Sequence, residues 1–251
     1  MFNPFSLEGK TILITGASSG IGRQCAIDCS KMGARVVLVA RNQERLEETV
    51  SLMEGDGHRA YSFDLAQLDG VKDLIVQIVA DNGKLDGFIH AAGIEKTAPV
   101  KLLTPEDYDS VYKTNCLSAF EIAKNLGLKQ INAESSIVFI ASISGVIART
   151  GLAAYSASKG AMISASKVMA LEFAKRKIRV NTVSPGTILT PMMEKALNEM
   201  PEEDRIKRVE GFPLGLGQTT DISNACIYLL SDASKWITGQ NLIVDGGYTA
   251  K

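Results

Sequence analysis

The chain has 251 residues, 45% hydrophobic and 22% charged, the balance of a globular protein with a full-sized core. Its formal charge of −1 gives no basic footprint, so neither nucleic acid nor an anionic membrane is an expected partner. The opening MFNPFSLEGK lacks a basic segment followed by an apolar run, and the longest apolar stretch, SSIVFIASISGVIA, is broken by serines, so a soluble cytoplasmic protein is expected.

Strand-like runs recur at 10–15 (KTILIT), 34–40 (ARVVLVA), 58–63 (HRAYSF), 85–90 (LDGFIH), 135–142 (SSIVFIAS), 177–184 (KIRVNTVS) and 241–245 (NLIVD). Several are apolar at consecutive positions, as strands covered on both faces are. Amphipathic stretches such as QERLEETVSLM and DGVKDLIVQIVADNG lie between them and run into glycine-containing turns. This alternation predicts a parallel sheet with helices on both faces. No repeat, low-complexity tract or linker divides residues 1–251, so one domain is expected. The segment 185–220 breaks the pattern, with four of the seven prolines, a Met-rich helix in TPMMEKALNEM, the charged run PEEDRIKR and the loop GFPLGLGQ. Two readings of it stand, a lid over a site and an ordinary connection.

The first strand ends at Thr15 and is followed by Gly16, Gly20 and Gly22, with a helix beginning at about Ile21. Glycine at a strand-to-helix turn permits positive φ and close backbone approach, and the helix start presents N–H groups and a positive dipole end to an anion. A pyrophosphate suits that environment, and the position between a first strand and a first helix points to a dinucleotide. Cys25 and Cys29 share a face of that helix, but no further ligands lie near them, so they read as packing residues and no metal site is expected. With His58 and His90 the only histidines, a serine triad or a histidine-rich metal site has little to draw on.

An acidic residue at the end of the second strand would bind ribose hydroxyls and repel a 2′-phosphate, but the chain has Ala40 and then Arg41. Arg41 can stack on adenine and pair with that phosphate, Arg23 can add positive charge, and Arg45 reads as a solvated helix start. NADP(H) is therefore favoured over NAD(H). Asp64, after the third strand, either accepts from the adenine amino group or caps the next turn.

Tyr155 and Lys159 lie four apart, on one face of a helix in AAYSASKGAM. A free phenol has a pKa of about 10; an adjacent ammonium favours its ionised form, and an oxidised nicotinamide adds more positive charge. Lowering that pKa by about three units would take about 4 kcal/mol and give a proton donor and acceptor matched to neutral pH. Ser142 can hydrogen-bond a substrate oxygen, with Ser144 as its rival, and Asn115 reads as a buried amide in need of partners.

These motifs resemble the short-chain dehydrogenase/reductase family, from about residue 7 to the end of the chain. TGASSGIG resembles that family's cofactor loop, and Asn115, Ser142, Tyr155 and Lys159 match its catalytic tetrad in order, with thirteen residues from serine to tyrosine. The resemblance implies a single Rossmann domain with a doubly wound, seven-stranded parallel sheet. It implies Tyr155 as general acid/base, Lys159 as the group that lowers its pKa and binds the nicotinamide ribose, and Ser142 on the substrate oxygen. Asn115 would hold a water in a proton relay. The implied cofactor contacts are Gly16, Ser18, Ser19, Gly20, Ile21 and Gly22 in the first turn, Arg41, Asp64 and Leu65 around the adenosine, and Ala91, Ala92 and Gly93 after the fourth strand. Pro185, Gly186, Ile188 and Thr190, in SPGTILTPM, would line the nicotinamide and a phosphate.

The family usually has Asn where this chain has His90. Two roles stand for it, hydrogen bonds between strands and titration near the cofactor, and the structural one is expected. A homotetramer or homodimer is implied, packed on the outer face of the Tyr155 helix (Ala157, Gly160, Ala161, Ser164), with GQNLIVDGGYTA in another interface.

The resulting expectation is an NADP(H)-dependent oxidoreductase acting on a small ketone or secondary alcohol. GFPLGLGQTTDI and LIVDGGY also resemble 3-oxoacyl-(acyl-carrier-protein) reductases, which place basic residues where the acidic carrier docks. The corresponding positions here are Asn132, Ala133, Glu134 and Leu171, with Lys175, Arg176 and Lys177 nearby. A non-catalytic NADP(H)-binding sensor is the alternative of another class. Sugars, sterols and polyols all stay open as substrates, because the pocket is expected from residues 185–220 and the loops at 93–100 and 143–151.

Overall fold

A computed structural model describes residues 2–128 and 134–250. Seven parallel strands form the main sheet: β1 (Thr11–Thr15), β2 (Arg35–Ala40), β3 (Arg59–Ser62), β4 (Gly87–His90), β5 (Ser136–Ile140), β6 (Arg179–Pro185) and β9 (Asn241–Val244). Their order is β3-β2-β1-β4-β5-β6-β9, so the winding reverses between β1 and β4. In such a sheet a crevice opens at the C-terminal ends of the two strands where the order reverses. The consecutive apolar positions explain this architecture. Ile12, Ile14, Val36, Leu38, Ile89 and Val138 point into one core, and Leu13, Val37, Val39, Phe88, Ile137 and Phe139 into the other. The strand period of two thus sends neighbouring residues to opposite faces, and both faces must be covered.

On the first face lie α1 (Gly20–Lys31), α2 (Gln43–Ser51) and α9 (Thr219–Leu230), which contribute Cys25, Cys29, Leu46, Ile222 and Cys226. Both cysteines of the first helix are fully buried, as packing residues are. On the second face lie α3 (Val71–Asn82), α5 (Ser118–Leu126) and the long α6 (Ala153–Phe173). Before α5 comes α4 (Pro105–Tyr112), started by a capping box in which Thr104 accepts from the Asp107 N–H and Asp107 from the Thr104 N–H. The two helices are joined by a widened π turn, Lys113–Leu117.

The segment 185–220 is more regular than its composition suggests. It contains α7 (Pro191–Asn198), α8 (Glu202–Glu210) and a two-stranded ribbon pairing β7 (Ile188–Leu189) with β8 (Gly217–Gln218). The charged run PEEDRIKR is helical, and α8 buries none of its residues, which is why no apolar stripe announces it. On α6, Ala157 and Ser164 are exposed, but Gly160 is not a free outer face: a Cβ added at Gly145 would lie 2.8 Å from the Gly160 nitrogen.

Phe139 is fully buried and meets Phe88 edge-on, at 6.3 Å between ring centroids, in the strand that leads to Ser142. Phe139→Ala is expected to cost about 3–5 kcal/mol in urea-unfolding experiments.

Candidate active site

The turn after β1 is shaped by what surrounds it. Gly16 has φ +69°, and a Cβ there would stand 2.7 Å from the Ala92 nitrogen and 2.8 Å from the Ala91 carbonyl carbon. The end of β1 and the start of the loop after β4 therefore touch through backbone, which glycine alone allows. A Cβ on Gly22 would in turn strike the Gly16 carbonyl oxygen, so the start of α1 also packs against this turn. Ser19 enters the helix in extended conformation, its hydroxyl makes no capping bond, and no acidic residue lies in the first turn. The N–H groups around Ser19, Gly20, Ile21 and Gly22 are thus left for an external acceptor, and a pyrophosphate fits the cradle. Thr190 faces it: a Cβ on Gly20 would be 3.4 Å from Thr190 Cγ2, while Thr190 Oγ1 accepts from the Met193 N–H and caps α7.

Two side chains on the adenosine side already have partners within the protein. Arg23 adds no uncompensated charge, because its guanidinium donates twice to Glu48, at 3.2 and 2.8 Å, and once to the Ser18 carbonyl at 2.8 Å. Asp64 caps the turn, with Oδ1 accepting from the Ala66 N–H at 3.0 Å, and Leu65 sends its side chain into the core. Arg41 is exposed just beyond β2, and no carboxylate stands at the end of that strand.

At the other side of the crevice, Ser142 follows β5, and Tyr155 and Lys159 occupy the first two turns of α6. The Ser142 hydroxyl accepts from the Ser144 N–H at 3.1 Å and also hydrogen-bonds the Tyr155 phenol. Lys159 is buried, with Nζ 5.5 Å from the Tyr155 ring centre and donating to the Ile140 carbonyl at 2.7 Å. Gly93 lies against this pair, since a Cβ there would be 3.6 Å from Lys159 Nζ and 3.2 Å from Asn115 Oδ1. Asn115, in the π turn, is fully buried. Its amide accepts from the Ile94 N–H at 2.8 Å and donates to the Ile94 carbonyl and Ser158 Oγ, each at 3.0 Å. The side chain is committed there rather than to Lys159. At the end of β6, Pro185 pairs with Val244; beyond it the Gly186 N–H donates to the Val244 carbonyl, and Ile188 is buried in the first core.

The protein's own groups do not by themselves make Tyr155 acidic. Burial pushes the phenol up to about 12, Glu95 adds to this, and the hydrogen bond from Ser142 and the charge of Arg149 only partly oppose it. Burial likewise lowers Lys159 to about 8. Glu95 and Arg149 were missed as neighbours of the phenol. Their only trace in the sequence is charge in the loops expected to border the pocket, Glu95 and Lys96 in 93–100 and Arg149 in 143–151. His90 takes the structural role: Nδ1 lies 3.0 Å from Thr15 Oγ1 across β1 and β4, and burial first, then Lys159, lowers its pKa to about 3, so the ring stays neutral.

A family model described as enoyl-(acyl carrier protein) reductase matches residues 16–249. The chain is 35% identical to a D-threitol dehydrogenase of Mycolicibacterium smegmatis, over 98% of this chain and 95% of that protein. It is 36% identical to a gluconate 5-dehydrogenase of Gluconobacter oxydans, over 98% and 96%. A 3-oxoacyl-[acyl-carrier-protein] reductase of Thermotoga maritima is 35% identical, over 96% and 98%. A structure from Agrobacterium tumefaciens with bound NADP superposes with a TM-score of 0.89 at 32% identity, covering all of both chains. The chain belongs to the short-chain dehydrogenase/reductase family. It is an oxidoreductase that works between alcohol and carbonyl with a nicotinamide cofactor.

The depressed pKa of Lys159 has a consequence for stability. A base held at about 8, below its unfolded value, binds fewer protons when folded, so stability rises with pH between about 8 and the ordinary lysine range. Below about pH 8 the buried ammonium costs the fold about 3 kcal/mol. Lys159→Met removes that cost but strands the Ile140 carbonyl. The variant is expected to be more stable than wild type by about 1–2 kcal/mol at pH 7 in urea unfolding, with the gain gone by about pH 10.

Proposed function

We propose that this chain reduces a small ketone, or oxidises the matching secondary alcohol, with NADP(H), and that Tyr155 is its proton donor and acceptor. The observation that carries the reading is the meeting of Ser142, Tyr155 and Lys159 beside the Gly16–Gly22 cradle at the reversal point of the sheet. When bound, the nicotinamide supplies or accepts the hydride and, in its oxidised form, brings a positive charge. In the reducing direction the carbonyl carbon gains hydride while its oxygen takes the proton of Tyr155 Oη. In the oxidising direction the phenolate oxygen removes the hydroxyl proton. Ser142 donates to the oxygen on which charge develops. Lys159 brings a cation against the phenol, and a second one is required to draw a group near 12 down into a working range. Asn115 acts as a positioning residue, fixing the Ile94 backbone beside Gly93 and bonding Ser158 on α6.

NADP(H) over NAD(H) is supported by the missing carboxylate after β2, by exposed Arg41, and by the relative that holds NADP. The relatives named for threitol and gluconate favour a small polyhydroxylated substrate. The Thermotoga relative favours a carrier-bound 3-oxoacyl chain, but the basic residues such a partner needs are weak here. Lys177 is paired with Glu134 at 2.7 Å, Arg176 donates to the Leu128 carbonyl, and Leu171 is an exposed apolar residue; Asn132 and Ala133 lie outside the described residues. Exposed Val168 and Leu171 suit α6 to burial against a second copy, in a dimer or tetramer.

Tyr155→Phe is expected to lower kcat for NADPH oxidation about 10²–10⁴-fold with a ketone panel. Rates equal to an active wild type would remove Tyr155 as the proton donor, and no turnover with any ketone would favour a non-catalytic sensor. Arg41→Ala should raise KM for NADPH about tenfold or more and leave KM for NADH within about twofold. Parallel changes for both cofactors would remove Arg41 from phosphate recognition.

A further inference from the structure

Charged side chains from three separate segments interact at one end of the cleft. Glu95 lies in the loop after β4, Arg149 in the turn before α6, and Arg208 in the last turn of α8. The Ala98 N–H donates to the Gly151 carbonyl at 2.9 Å and ties the two loops together, and within the first loop Thr97 Oγ1 donates to Glu95 Oε1 at 2.9 Å. The end of α8 comes from the facing wall. Phe212, just beyond it, stacks on Tyr248 at 4.5 Å between ring centres, and a Cβ on Gly186 would stand 2.9 Å from the Phe212 ring. Glu95 and Arg149 are the charged groups that act on Tyr155, and the same two act on Arg208. The two guanidiniums are therefore close enough to oppose each other, and Arg149 and Glu95 link Arg208 to the surroundings of the phenol.

Their partners are the unusual feature. On α8, Arg205 pairs with Glu202 and Lys207 with Glu203, as a solvated helix face does. Arg208 has no such pair, nor has Arg149, among the described residues, and Arg208 Nε is buried without a hydrogen-bond acceptor. Apart from Lys159, which is committed to the Tyr155 ring and the Ile140 carbonyl, the two guanidiniums and one carboxylate leave one positive charge. One further carboxylate would neutralise it with the paired donors that guanidinium offers, whereas a phosphate dianion would leave excess negative charge beside Glu95.

We infer that Arg149 and Arg208 form a carboxylate subsite, and that the substrate is an oxo acid or the corresponding secondary hydroxy acid. The inference rests on the reading of Tyr155 as the group that serves the reacting oxygen. It deepens that reading by naming what holds the far end of the substrate.

The test uses NADPH oxidation with 3-oxobutanoate, 4-oxopentanoate and 5-oxohexanoate, each against its neutral primary amide, and with hydroxyacetone phosphate. At least one acid should exceed its amide tenfold or more in kcat/KM, with the margin narrowing as salt rises. Arg149→Gln and Arg208→Gln should each bring that ratio close to one, and Arg208→Lys should restore part of it. Amides that match every acid, variants that slow acid and amide equally, or a preference for the phosphate ketone would each overturn the subsite. Activity lost on Tyr155→Phe while amides match acids would leave the proton-donor reading standing and remove only the subsite. Should no ketone react, thermal shifts of the NADP⁺-loaded protein decide. Stabilisation of wild type by 4-oxopentanoate but not by 4-oxopentanamide, and its loss in Arg208→Gln, would support the subsite; no stabilisation would overturn it.

Discussion

A buried ammonium donating to the last carbonyl of a strand organises the whole site. Lys159 reaches the Ile140 oxygen at the end of β5, where the ladder to β6 continues one residue further through the Ala141 N–H and the Val183 carbonyl. Through that bond the sheet dictates how α6 lies, and α6 carries Tyr155 one turn earlier on the same face. Ser142 is two residues past the same carbonyl, so strand and helix deliver their groups to one point. The arrangement costs stability, because an ammonium shielded from water is tolerated only where geometry demands it.

Three titratable groups near the crevice are pushed toward their neutral forms: Tyr155 upward, and Lys159 and His90 downward, each mainly through burial. Such a cleft resists isolated charge from any of its own members. Its chemistry is therefore tied to what enters it, since only an added cation can make the phenolate accessible. Glu95 strengthens this dependence by opposing the phenolate further.

The fold was legible because covered parallel strands leave consecutive apolar residues, as in Val36 to Val39, and because a glycine turn between strand and helix has few other uses. The sequence also marked Tyr155 and Lys159 as neighbours, since helical spacing is local. What it hid was non-local. Arg23 looks available until Glu48, 25 residues away, is seen to hold it. Nothing in the order of residues shows how strongly burial opposes the phenolate, which leaves the phenol at about 12 on the protein's own groups. The helix of TPMMEKALNEM was visible, but α8 escaped notice because it is mostly charged and has no fully buried residue. Glu95, Arg149 and Arg208 belong to three distant segments, and no short pattern could have grouped them.

The π turn at Lys113–Leu117 bears on how this protein tolerates length changes. It accommodates one residue more per turn than the helices on either side, and it holds Asn115 where both polar ends of Ile94 can be met. Losing a single residue there would restore an unbroken spiral and swing everything on one side of the cut by about 100° relative to the other. Either the amide or the inward row formed by Ala119, Ile122, Ala123 and Leu126 would then fall out of phase with its surroundings. At this spot the count of residues is constrained as tightly as their identity.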